Sequence, residues 1–280
     1  MREPIAVRHL AAPDIHMVVE WARQEGWNPG INDASCFYAA DPGGFLASLN
    51  REEPAAVISL VRYDASFAFL GLYICRPDLR GQGYGYRVWQ AAMESAGART
   101  IALDGVPAQQ ETYARSGFEL AWRNTRYQAE GGTGDDVPGL IDLDSVPFTD
   151  VTWYDADVFE ADRRTFLRFW LAQPGARRLG VVHEGRLAGW GLLRPCAEGS
   201  KIGPLMADNR SVAELLFDGL CACGAGQPVF IDVPETNSEA VRLVESRGMT
   251  PCFETARMYR GTPPPIDIGK VWGLTTFELG

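Results

Sequence analysis

The stretch Arg76-Pro77-Asp78-Leu79-Arg80-Gly81-Gln82-Gly83-Tyr84-Gly85 decides how this chain is read. An apolar run, Phe67 to Cys75, enters it. An amphipathic segment, Tyr86 to Ala96, leaves it with Val88, Trp89, Ala92 and Met93 on one face. The order is therefore strand, glycine loop, helix. Three glycines let backbone N–H groups turn toward one point without a Cβ in the way. Such a nest at the opening of a helix, helped by the helix dipole, is a natural pyrophosphate site. It is not a Walker A loop, since no Gly-Lys-Ser/Thr follows. Nor is it a dinucleotide fingerprint, whose third glycine would fall on Tyr86 or Val88.

Upstream, Ile5 to Leu10 alternates as a first strand. Asp14 suits an N-cap, and Ile15, Val18, Val19 and Ala22 recur at helical spacing. Glu25-Gly26-Trp27-Asn28-Pro29-Gly30 stops that helix. A second helix fits Asp33 to Ala40, and strands fit Phe45 to Asn50, Ala55 to Tyr63 and Phe67 to Cys75. Downstream, Thr100 to Leu103 is a strand, Gln109 to Arg115 a helix and Phe118 to Tyr127 a strand. Ala129 to Asp136 reads as a glycine-rich, acidic linker. The reading thus places one domain at 1–130 and a second at 137–280.

The second half repeats the order. A helix fits Val158 to Leu171, and a hairpin Gly180 to Leu193. Ile202 to Met206 and Val229 to Val233 are strands, while Val212 to Cys223 and Ser238 to Arg247 are helices. Gly117-Phe118, after the last helix of the first half, corresponds to Gly248-Met249 after the last helix of the second. The glycine loop is replaced here by Ala207-Asp208-Asn209-Arg210-Ser211-Val212, which has no glycine and carries an aspartate that would repel phosphate.

At 280 residues the chain has the length of two ordinary domains, and 46% hydrophobic residues can bury two cores. No apolar run is long enough to span a membrane, and Met1-Arg2-Glu3-Pro4 opens no secretory signal. Thirty-six acidic against 26 basic residues give a net charge of −10. That field disfavours nucleic acid and favours a cationic small molecule. The six cysteines are scattered without a CxxC pair, and the three histidines complete no ligand spacing. The expectation is a cytoplasmic protein with free thiols, no metal, no nucleic acid and no membrane contact, as monomer or homodimer.

The spacing of Arg80, Gly83 and Gly85 resembles the (Gln/Arg)-x-x-Gly-x-(Gly/Ala) signature of GNAT N-acetyltransferases. Tyr113-Ala114-Arg115-Ser116-Gly117-Phe118 is similar to that family's Tyr-x-x-x-Gly-Phe. The resemblance implies an α/β (α+β) fold of two tandem GNAT-like domains, each a mixed, mostly antiparallel sheet flanked by helices. It implies acetyl-CoA as acyl donor, held by Arg80, Gly81, Gln82, Gly83, Tyr84 and Gly85. The backbone of Tyr73, Ile74 and Cys75 would bind the pantetheine arm. Tyr113 becomes the expected general acid, with a core-facing tyrosine as the alternative.

A protonated amine must also lose a proton, and a free amine has a pKa of about 10. Asp104, at a strand end, and Glu20, on the first helix, are the candidate bases; each could equally be a solvated or capping carboxylate. Trp27 and Asn28 lie where likeness to the family places the roof of the acceptor pocket. Two departures stand out. Val106 occupies a position where the family often has asparagine, and Val244 replaces the tyrosine in the second half. The loop 25–30 and the closing Phe277-Glu278-Leu279-Gly280 resemble a narrower group of two-domain bacterial GNAT proteins. The expected activity is transfer of an acetyl group to a primary amine of a small cationic molecule in a ternary complex. The alternatives are a non-catalytic acyl-CoA sensor and a protein amine acetyltransferase.

Overall fold

The computed structural model describes residues 4–134 and 137–280. Met1 to Glu3 and the last two linker residues, Asp135 and Asp136, lie outside the described residues. The first half runs β1 (Val7–His9), α1 (Asp14–Gln24), α2 (Asp33–Ala40), β2 (Phe45–Asn50), β3 (Glu53–Arg62), β4 (Phe67–Cys75), α3 (Tyr84–Ala96), β5 (Thr100–Gly105), α4 (Gln110–Arg115) and β6 (Glu119–Glu130). The second continues with β7 (Ile141–Asp142), α5 (Phe148–Val158), α6 (Arg164–Leu171), β8 (Arg177–His183), β9 (Arg186–Pro195) and β10 (Ser200–Ala207). It closes with α7 (Arg210–Ala222), β11 (Pro228–Pro234), α8 (Ser238–Ser246), β12 (Thr250–Arg260) and β13 (Val271–Gly273).

Most boundaries fall where hydrophobic period and turn residues place them. Two do not. The helix expected over Val158 to Leu171 is two helices, broken over 159–163. Arg163 turns inward there, forks onto Asp155 at 2.7 and 2.8 Å, and lies 3.8 Å from the centroid of the Phe159 ring. In a continuous helix Asp155 and Arg163, eight residues apart, would stand about 12 Å apart along the axis. Asp14 begins α1 as its first residue rather than capping it; its carboxylate accepts from Ala11 N–H and Arg8.

The strands form one sheet in the order β1-β2-β3-β4-β5-β12-β6-β11-β10-β9-β8-β7, with β13 on β10. Each half takes the last long strand of the other. β12 lies between β5 and β6, and β6 lies between β12 and β11, antiparallel throughout. Asn124 faces Thr255, its counterpart in the repeat, so this pair marks a pseudo-twofold axis. The sequence change near residue 130 is thus no break in the sheet.

Packing reinforces the exchange. One apolar cluster includes Ile15, Val18 and Phe37 from the first half and Phe166, Trp170 and Trp190 from the second. Phe37 stacks on Trp170 at 6.4 Å. Each such buried side chain is worth about 1.5–3 kcal/mol. Three buried arginine–aspartate pairs also cross between halves: Arg194–Asp33, Arg126–Asp232 and Arg257–Asp104. Buried ions are costly unless paired, so these pairs penalise any other register.

Candidate active site

β4 and β5 run parallel and paired from Phe67↔Thr100 to Leu70↔Leu103, and then part. At the parting, Leu72 has φ +47°, and the β3 register slips between Ser59↔Gly71 and Val57↔Ile74. Beyond Leu70, no strand among the described residues pairs with the β5-facing edge of β4. This splay leads to the glycine loop. Gly81 and Gly83 have φ +75° and +96°, with open space where a Cβ of Gly81 would stand. Among the described residues, the amides of Gly81, Gln82 and Gly83 donate no hydrogen bond to the rest of the backbone. They cluster at the N-terminus of α3, where anions are favoured. Arg80 Nε donates to Cys75 O at 3.1 Å, and its guanidinium reaches Glu25 at 2.5 Å. A loop of free amides beside an unpaired strand edge fits the diphosphate and pantetheine arm of an acyl-CoA.

Where the strands part, a cavity opens between Tyr73, Leu103, Val106 and Tyr113 on one side and Trp27, Phe253, Thr255, Phe277 and Glu278 on the other. Tyr113 is buried in an aromatic stack, 5.7 Å from the Trp89 ring centroid and 6.3 Å from that of Phe118. Gly105 permits this, because a Cβ there would lie 2.8 Å from the Tyr113 ring. The Tyr113 hydroxyl makes no hydrogen bond to the described residues. Burial pushes its phenol above the ordinary value, so it remains a proton donor. Tyr73 packs on Trp89 beside it; Gly85 accommodates the Tyr73 hydroxyl, 2.8 Å from where a Cβ would stand.

The expected residues do not all converge. Trp27 lines the cavity, but Asn28 does not. The Asn28 side chain donates to Glu198 O at 2.9 Å and accepts from Glu198 N–H at 2.8 Å, tying its loop to the β9–β10 turn. Glu20 sits on the exposed face of α1 in a two-point contact with Arg23, which pulls its carboxyl down to about 2. It is not among the residues that line the cavity. Asp104 does border the cavity, yet both oxygens are held by the Arg257 fork at 2.8 and 2.9 Å, and Asn124 adds a third bond. Arg257 and Arg126 are repeat counterparts, as Asn124 and Thr255 are, and Arg126 grips Asp232 in the same way on the other side of the axis. A pair that recurs in the half without a glycine loop is architectural. Asp104 is therefore a strand tie rather than a base.

Four cavity residues, Phe253, Thr255, Phe277 and Glu278, come from the second half; the sequence singles out neither of the first two, and the others only as part of the closing Phe-Glu-Leu-Gly. The last two belong to a tail that follows β13. In the second half, β10 and β11 part just as β4 and β5 do, but β13 fills the gap: Leu205 faces Gly273, and Leu274 N–H reaches Asp232 O at 2.7 Å. Asn237 pins the insert through Gly269 O and Val271 O, and Trp272 Nε1 donates to Ala207 O. At the head of α7, Asn209 caps Val212 N–H with its own side chain. The acyl-CoA cleft of this half is filled by the chain itself.

Residues 12–118 match the model of the acetyltransferase (GNAT) family, and residues 151–273 that of an acetyltransferase (GNAT) domain. The chain is a tandem GNAT protein. Holothin acyltransferase of Pseudoalteromonas sp. (strain SANK 73390) is 29% identical over 266 residues, 94% of this chain and 90% of that protein. An uncharacterized N-acetyltransferase of Bacillus subtilis (strain 168) is 24% identical, covering 75% and 76%. Among solved structures, a putative acetyltransferase from Pyrococcus horikoshii superposes with a TM-score of 0.85 at 24% identity, covering 100% of this chain and 97% of that one. A tandem GNAT protein from the clavulanic acid biosynthesis pathway gives 0.63 at 16%, covering 94% and 100%. These two likenesses concern the fold.

Proposed function

We propose that this tandem GNAT protein transfers an acetyl group from acetyl-CoA to a primary amine of a small, cationic molecule, at one site in its first half. The observation that carries this reading is the asymmetry of the two splays. One leads from free glycine-loop amides to a tyrosine-lined cavity; the other is filled by β13. Gly81, Gln82, Gly83, Tyr84 and Gly85 would cradle the diphosphate, with Arg80 exchanging Glu25 for a phosphate. The open edge of Tyr73, Ile74 and Cys75 would take the pantetheine arm.

With both substrates bound, the amine nitrogen attacks the thioester carbonyl carbon. The C–N bond forms and the C–S bond breaks. Tyr113 gives its proton to the departing sulfur and regains one from the nitrogen, so the phenol is restored and the products are an amide and a thiol. The name of the holothin acyltransferase supports acyl transfer as the reaction class. The acidic net charge supports a cationic acceptor.

Thiol release from acetyl-CoA against a panel of small amines tests the reading. Tyr113→Phe is expected to lower kcat by about 10²–10⁴ while acetyl-CoA affinity measured by calorimetry stays unchanged. Unaltered turnover in that variant removes Tyr113 as the acid. Tight acetyl-CoA binding with no turnover in any amine would instead indicate a sensor.

A further inference from the structure

The internal repeat ends with β12, and the tail after it has no counterpart in the first half. It enters the splay of the second half as β13, then crosses to the first half. Gly203 lets it leave: a Cβ there would stand 2.4 Å from Thr275 O. Gly71, where β4 begins to part from β5, receives it. A Cβ on Gly71 would meet Glu278 O at 1.9 Å and Glu278 Cα at 3.2 Å. Tyr63 then holds Leu279 O at 2.8 Å, and Arg163 holds Gly280 O at 2.9 Å. The tail is thereby fixed against the strand bulge that borders the cavity.

What it brings there is a carboxylate. Glu278 is buried yet lines the cavity, and among the described residues no cation lies within ion-pair distance of it. One oxygen accepts from Thr276 Oγ1, and the other has no hydrogen-bond partner among the described residues. The nearest cationic groups are already engaged: Arg126 with Asp232, Arg194 with Asp33, and Lys201 Nζ on Asn28 O. The other carboxylate of the cavity, Asp104, is locked by Arg257. Around Glu278 stand Trp27, Phe253 and Phe277; the Arg126 guanidinium already lies against the two phenyl rings, 5.4 and 5.0 Å from their centroids, so the wall offers apolar surface for the body of an amine and Glu278 is left as the group for its charge.

Building on the reading of an amine-taking site, we propose that Glu278 is the catalytic base of the first half, delivered by the tail that closes the second. It receives one proton from the acceptor ammonium, leaving a neutral amine to attack; it passes that proton to solvent after product leaves. The second amine proton is the one that Tyr113 regains. The acceptor class this assigns is an ammonium carried on an apolar substituent.

The test compares two nucleophiles with the full-length protein and acetyl-CoA: benzylamine, an ammonium at neutral pH, and hydroxylamine, which is uncharged there and needs no such base. Glu278→Gln is expected to cut turnover of benzylamine about 10²–10⁴-fold. Hydroxylamine turnover should stay within a few-fold, with acetyl-CoA affinity and thermal unfolding unchanged. Wild-type-like benzylamine turnover in the variant overturns the proposal. So does an equal loss with both nucleophiles, which marks a structural counter-charge instead. Wild-type protein that binds acetyl-CoA but uses neither nucleophile overturns the amine-class assignment. Wild-type protein that binds no acetyl-CoA overturns the reading beneath it.

Discussion

Replacing Arg257 by methionine removes the guanidinium that ties β12 to β5. In the native protein it forks onto Asp104 at 2.8 and 2.9 Å, reaches Glu160 at 2.8 Å, and lies 5.0 Å from the Phe69 ring centroid. Methionine fills much of the same space, so the cavity penalty is small and the effect is electrostatic. Removing one partner of a buried pair costs about 3–5 kcal/mol, because a charge remains uncompensated. At roughly 2–4 °C per kcal/mol for a chain of this size, the melting temperature should fall by about 6–20 °C.

The pH dependence of that loss carries the argument. Burial already pushes the Asp104 carboxyl above its ordinary value, and Arg257 pulls it back. Without Arg257 it rises further. A carboxyl raised in the folded state destabilises above its folded pKa, and the penalty fades as pH falls through that value. The gap between wild type and Arg257→Met, read by urea denaturation, should therefore narrow from pH 8 to pH 5. Adding Asp104→Asn and Glu160→Gln should recover most of the loss at pH 8. A loss below about 1 kcal/mol, or one indifferent both to pH and to neutralising the carboxylates, would refute the claim that buried charge fixes this strand.

Two further outcomes follow from the loop and from the matching ion pair. Gly83→Ala meets only ordinary contact with Ile5 Cδ1 at 3.7 Å but must hold φ +96°. It should cost about 1–2 kcal/mol of strain and weaken acetyl-CoA binding by calorimetry; unchanged affinity would remove this loop from the diphosphate site. Asp232 is buried, which raises its pKa, but Arg126 and Lys201 outweigh burial and hold it below the ordinary value. Its contribution is complete above the unfolded pKa and is lost as pH falls through the depressed folded value. The stability gap between wild type and Asp232→Asn should therefore be constant from pH 7 to 5 and shrink below about 4. A constant gap down to pH 3 would contradict that ion pair.

The first half was legible because its signals are local. Three glycines between a strand and a helix mark the loop without knowledge of the rest, and Tyr113, one helical turn before Gly117, is singled out by the family resemblance as the proposed acid. The second half's missing glycines at 207–212 were equally plain. What the sequence hid is non-local. β6 reads as a strand at the end of the first half, β12 is not read as a strand at all, and nothing in the composition of either says that it pairs inside the other half. The buried polar positions Asn124, Arg126, Thr255 and Arg257 are explained only by that exchange. Asp104 looked like a free carboxylate because its partner lies 153 residues away. Glu278 was visible only as part of a closing Phe-Glu-Leu-Gly, since its role depends on where the tail is fastened.

Two halves exchanging strands about an axis would, by symmetry, present two equal clefts. A splayed strand pair leaves backbone donors and acceptors that must find partners. In the second half the chain supplies them itself, through β13 and the Asn237 side chain. That one insertion removes a cofactor cleft and, within two turns of chain, aims the tail at the remaining one. Asn237 stands where the first half has Val106, in the same repeat register that relates Arg257 to Arg126. In the second half this side chain holds the insert by two carbonyls, and in the first Val106 lines the cavity at the corresponding position. On the proposal that Glu278 is the base, filling one cleft and completing the other are a single structural event.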